Sequence, residues 1–161
     1  MGHKLSPRLL QEIGRVTLFA TLVEQEIALC AAVLLNKRST SVAQVFLAQL
    51  NWRQSVDIAD ALGQRRFKVE ELSRFRDLLA RAERLTEMRN KFVHSHWGWM
   101  EARFSRVKAV RMKFYAKKKK GLKIDIEFMT IGDVKRIADE LESLLIDLQT
   151  FLEAKFGYVE P

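Results

Sequence analysis

Apolar residues recur at helical spacing along most of this chain, and the pattern changes to strict alternation in one stretch. Ser6 and Pro7 open the first run: a hydroxyl can cap free amides, and proline suits a first turn. Leu10, Ile13, Val16 or Thr17, Ala20, Val23 or Glu24, Ile27, Ala31 and Leu34 define its inward stripe. They predict a helix ending near Asn36 or Lys37 and spanning roughly 45 Å. Glu24 lies beside the stripe, where it either pairs with an arginine inside the bundle or occupies an edge.

The polar stretch 37–41 predicts a linker, with Thr40 or Ser41 as the next cap. A short helix over 42–50 places Val45, Phe46 and Leu50 inward. A second over 55–62 carries Val56, Ile58, Ala59 and Leu62, and Gly63 is its expected stop. Residues 51–54 either bend or break this run. Val69 to Val93 then reads as a long helix with Leu72, Phe75, Leu78 or Leu79, Ala82, Leu85 and Met88 inward. Its other side, with Glu70, Arg74, Asp77, Arg81 and Glu83, is a solvated face.

Leu122, Ile124, Ile126 and Phe128 alternate with Lys123, Asp125 and Glu127, the signature of a half-buried strand. Upstream, Val107 and Ala109 are apolar at odd positions, and Val110, Met112 and Phe114 at even ones. That slip predicts a β-bulge at Ala109–Val110. The two runs pair as a hairpin over about 103–128, tipped by residues 116–121. Thr130 or Asp133 starts a last helix, inward at Val134, Ile137, Ala138, Leu141, Leu144 or Leu145, Leu148, Phe151 and Leu152. Gly157 ends it. The expectation is one domain over 1–161, an all-α up-and-down bundle with a basic β-hairpin insertion before the last long helix.

Charge sharpens this picture. Between Arg103 and Lys123 stand Arg103, Arg106, Lys108, Arg111, Lys113, Lys117, Lys118, Lys119, Lys120 and Lys123, with no acidic residue. The rest of the chain holds 18 basic and 20 acidic residues, a net of −2, so the chain's net +8 comes from this element's ten positive charges. Such an element fits a polyanion partner, nucleic acid first and an acidic protein or membrane surface second, with those ten side chains as the backbone contacts on RNA; a solubilising loop is the plainer reading. Cys30 is the single cysteine, which excludes an intrachain disulfide and fits a reducing, cytoplasmic setting. Glu24 and Glu26 interrupt the first apolar run, so neither a signal peptide nor a membrane span is expected.

Candidate chemistry gathers in Leu85–Met100. Arg89, Asn90 and His94 fall within six residues, flanked by Phe92, Val93, Trp97 and Trp99. Asn90 and His94 share a helix face; Arg89 and His94 lie about 140° apart on a regular helix and meet only if the helix loosens or a second copy supplies the partner. An imidazole can take a proton from a ribose 2′-hydroxyl and give one to a leaving oxygen, while a guanidinium grips phosphate. Asn90 can fix the imidazole or hold the phosphate. The same residues can also cap a helix end and balance its dipole. Trp97 and Trp99 can stack on bases or act as buried anchors. No metal or cofactor is expected.

Arg89-Asn90-Lys91-Phe92-Val93-His94 resembles the signature of the HEPN superfamily (higher eukaryote and prokaryote nucleotide-binding domains): an arginine, a polar residue and, after four to six intervening residues, a histidine near the end of a core helix. The resemblance implies a small helical bundle, a homodimer with motifs facing across a cleft, and metal-independent RNA cleavage in toxin–antitoxin or host-defence systems. It implies Arg89 as the phosphate-stabilising arginine, Asn90 as polar assistant and His94 as catalytic histidine. It leaves the lysine-rich element unassigned; that element can grip RNA, lock a dimer or receive an acidic antitoxin. The expected function is an endoribonuclease. The alternatives are a non-catalytic RNA- or protein-binding module and a toxin neutralised by an antitoxin protein.

Overall fold

The structure, a computed structural model, describes residues 5–37, 40–93, 96–100, 108–117 and 121–157. Its helical body holds five helices: α1 (Pro7–Leu35), α2 (Thr40–Leu47), α3 (Trp52–Arg66), α4 (Val69–Val93) and α5 (Ile131–Phe156). Between α4 and α5 lie three strands: β1 (His96–Met100), β2 (Lys108–Lys117) and β3 (Gly121–Met129). Helix α1 is central. The other four helices all pack on it, α5 most extensively.

Local chemistry sets the helix limits. Ser6 Oγ accepts from Leu9 N at 3.2 Å and opens α1. Its buried stripe is Leu9, Glu12, Val16, Ala20, Val23, Ile27 and Cys30 to Leu34. Leu10, expected inward, is 52% exposed, because the stripe enters one position earlier. Glu24 and Glu26 do not remove the membrane-like character of α1, which stays long and apolar enough to cross a membrane by length and composition. In this fold it is the core helix instead.

The 42–66 region departs further from expectation. Val45 is 72% exposed, while Ala43 and Leu47 supply the buried face of α2. Asn51 and Gln54 form a reciprocal capping box, so the chain breaks there and restarts as α3. Gly63 does not end α3; it sits inside it, where an added Cβ would lie 3.1 Å from the rings of Phe67 and Phe75. Close packing requires the glycine. Phe67 meets Phe75 and Phe151 edge-on at 5.2 and 5.3 Å, and Phe75 stacks on Phe151 at 5.4 Å.

The expectation of an all-α chain carrying a two-stranded hairpin over about 103–128 is corrected. The helical body is an all-α bundle, but the segment that follows α4 is a three-stranded antiparallel sheet in the order β1-β2-β3, beginning at His96. The predicted bulge is absent from the described strands: both ladders run through Ala109 and Val110 without a skipped position. Apolar positions of β2 and β3 fall opposite one another (Val110↔Phe128, Met112↔Ile126, Phe114↔Ile124), so cross-strand matching decides the register. Met129 is buried at the base of β3. Thr130 and Asp133 then form the capping box that starts α5, and Gly157 closes it at φ 73°.

Candidate active site

Helix α4 carries its polar group at its C-terminal end. Phe92 is buried, and Trp97 folds back against it with ring centroids 5.7 Å apart. The indole Nε1 donates to the Phe92 carbonyl at 3.0 Å, satisfying an acceptor that a helix end leaves open. Trp97 thus anchors β1 to the last turn of α4. This answers the choice between stacking platform and anchor for Trp97; the Trp99 side chain lies outside the described residues.

Thr86, Arg89 and Asn90 fall at i, i+3 and i+4 on α4 and share one side of it. Arg89 Nη1 donates to Asn90 Oδ1 at 2.8 Å. Arg89 Nη2 lies 3.7 Å from Glu24 Oε1 of α1, too long for a hydrogen bond but close enough for an ion pair. Arg89 Nε is buried with no hydrogen-bond partner among the described residues. The Thr86 hydroxyl is in the same state, on a residue only 2% exposed. Buried polar atoms are ordinarily satisfied, so two orphans within one turn mark this place in the bundle.

Sequence spacing singled out Arg89 and Asn90 as a polar group; in the structure the Asn90 amide oxygen accepts from Arg89 and so orients the guanidinium. Glu24 was open between an ion pair and an edge; it faces Arg89. Thr86 was missed. The available signal was a threonine standing between Leu85 and Met88, next to the inward stripe. His94 lies outside the described residues, and so do Arg103, Arg106, Lys118, Lys119 and Lys120.

Lys108, Arg111, Lys113 and Lys117 occupy β2 and Lys123 occupies β3. Alternation along paired strands puts Arg111, Lys113, Lys117 and Lys123 on one face and Lys108 on the other. The register opposes Glu127 to Arg111 and Asp125 to Lys113. Among the five basic residues of the described strands, the register thus sets an acidic position opposite two. Trp97 pairs with Arg111, so the basic face begins at the strand that Trp97 ties to α4.

Two open grooves run beside α4, and neither is lined by Arg89. One has Arg81, Lys135 and Arg136 on its walls, paired with Asp147, Asp139 and Glu140. The other holds Arg76 against Asp60 at 2.7 Å. Their cations are neutralised from within. Among the described residues no group of three His, Cys, Asp or Glu is arranged to hold a metal ion. Comparison with protein-family models, curated proteins and solved structures finds no match to this chain.

Proposed function

We propose that the protein is a metal-independent endoribonuclease, with Arg89 as its phosphate contact. The observation that carries this reading is the state of Arg89: oriented by Asn90, loosely paired with Glu24, and with its Nε unpartnered among the described residues. A guanidinium has five donors, and an arginine kept for structure usually spends them. Here His94 takes the proton from the ribose 2′-hydroxyl, whose oxygen attacks the adjacent phosphorus. The 5′-oxygen leaves with a proton from the imidazolium, and Arg89 stabilises the extra charge on the phosphoryl oxygens. The products are a 2′,3′-cyclic phosphate and a 5′-hydroxyl. A homodimer supplies a second motif across the cleft, in the cytoplasm, and an antitoxin protein is a further candidate partner.

The basic face of β2 and β3 supports RNA backbone contacts near this centre, because it begins at the strand joined to α4 by Trp97. The pairing of Arg89 with Glu24 favours a second reading, a non-catalytic RNA-binding module in which Arg89 bridges α1 and α4. Incubation with mixed RNA in EDTA separates them. Cleavage giving cyclic-phosphate ends, lost in His94→Ala, supports the enzyme. Salt-dependent binding without turnover by folded protein supports the module.

A further inference from the structure

We infer that Glu24 is the counter-charge that an incoming phosphate displaces from Arg89, so the Glu24–Arg89 pair is a competitor built into the anion site. This rests on the reading of Arg89 as a phosphate contact. Three observations lead to it. The pair is held at 3.7 Å, without the short bonds of Arg76, whose Nε and Nη2 reach the two oxygens of Asp60 at 2.7 and 3.1 Å. Both side chains remain reachable, 21% exposed for Arg89 and 29% for Glu24. Among the described residues, bonding capacity stays unused beside them at Arg89 Nε and Thr86 Oγ1, although a carboxylate stands next to the guanidinium.

An anion with several acceptor oxygens suits that arrangement better than Glu24 does. Turning the guanidinium away from Glu24 frees the edge formed by Nε and Nη2, the edge that grips phosphate bidentately. Glu24 belongs to α1 and Arg89 to α4, so opening the pair breaks one contact between helices and leaves the apolar core in place. In the resting protein the carboxylate lowers the affinity of the site for weak anions. A polyanion overcomes it by adding contacts elsewhere. Glu24 is thus a positioning residue that sets the anion threshold of Arg89.

The test is binding of a short 2′-deoxy oligonucleotide, which carries the phosphates but lacks the attacking hydroxyl. Its anisotropy is read for wild type, Glu24→Gln, Glu24→Asp, Arg89→Ala and the Glu24→Gln/Arg89→Ala double variant at one salt concentration. Glu24→Gln should tighten binding roughly three- to tenfold, and Glu24→Asp, which keeps the charge, should stay within about twofold of wild type. Arg89→Ala should weaken binding, and the gain from Glu24→Gln should vanish in its background. Unchanged or weaker binding by folded Glu24→Gln overturns the inference. So does an equal gain in the Arg89→Ala background, which makes Glu24 a general repulsive charge. Arg89→Ala binding like wild type overturns the phosphate reading itself; weakened binding in Arg89→Ala with no gain in Glu24→Gln overturns the competitor alone.

Discussion

Two arginines of the bundle show what separates a structural cation from a candidate functional one. Arg15 of α1 donates to Glu12 at 2.9 Å and, across the interface with α5, to Asp139 at 2.9 Å and Glu142 at 2.8 Å. Its guanidinium also lies 5.7 Å from the Phe19 ring centre. Among the described residues, Arg89 of α4 has one short bond, to its own neighbour Asn90, and a carboxylate held at 3.7 Å. The first is held by three carboxylates and ties the first helix to the last. The second is oriented, with its Nε unpartnered among the described residues.

The largest expected effect is at Arg89. Arg89→Ala should lower RNA cleavage by about 10²–10³-fold, as loss of one oxyanion donor does, while changing unfolding free energy by less than about 1 kcal/mol. A melting shift with cleavage intact would make Arg89 a second structural arginine. At Arg15 the pattern should invert. Arg15→Ala leaves Glu12, 7% exposed, without its partner. It should lose about 1–2 kcal/mol in urea titration and keep the cleavage rate of wild type. Thr86→Val should be stabilising by about 0.5–1 kcal/mol, since it replaces an orphaned buried hydroxyl with a methyl group. Destabilisation in the same titration would mean that the hydroxyl is satisfied.

The smallest contrast is in acid. Lys135 first, then Arg15, holds the Asp139 carboxyl below its ordinary 3.8 in the folded chain. The unfolded chain therefore takes up that proton first as pH falls. The stabilisation is complete above the ordinary value and is lost as pH drops through it toward the folded one. Asp139→Asn should flatten this part of the stability curve between roughly pH 5 and pH 3, measured by urea midpoint. Arg89→Ala should leave the same part unchanged.

Periodicity carried the helices well where one long stripe dominates. Val69–Val93 and the Thr130-capped last helix were legible to the residue or nearly so, because capping residues and apolar spacing agree there. It was least reliable at α2, where eight residues give two turns and either Val45 or Ala43 can be placed inward. Gly63 looked like a stop because a glycine's lack of Cβ serves turns and close packing alike; only the neighbouring rings of Phe67 and Phe75 decide. Strand β1 was hidden by its length of five residues and by the glycine between its two tryptophans. At the site, Arg89 and Asn90 were legible as a local pair. Glu24 was legible as a candidate for an arginine pair, but its partner was not, since no local signal joins positions 65 residues apart, and counting charges along the basic run could not reveal the acids opposite Arg111 and Lys113.

The bond between Arg15 and Asp139 spans 124 positions, and it belongs to the interface on which the bundle most depends. On a ribosome adding about 5–20 residues per second, that separation corresponds to roughly 6 to 25 seconds of synthesis. Helix formation takes microseconds. Helix α1 therefore emerges long before α5 exists to cover it, as an apolar rod with the length and composition of a membrane anchor. For those seconds α1 stands without the helix that packs on it most extensively.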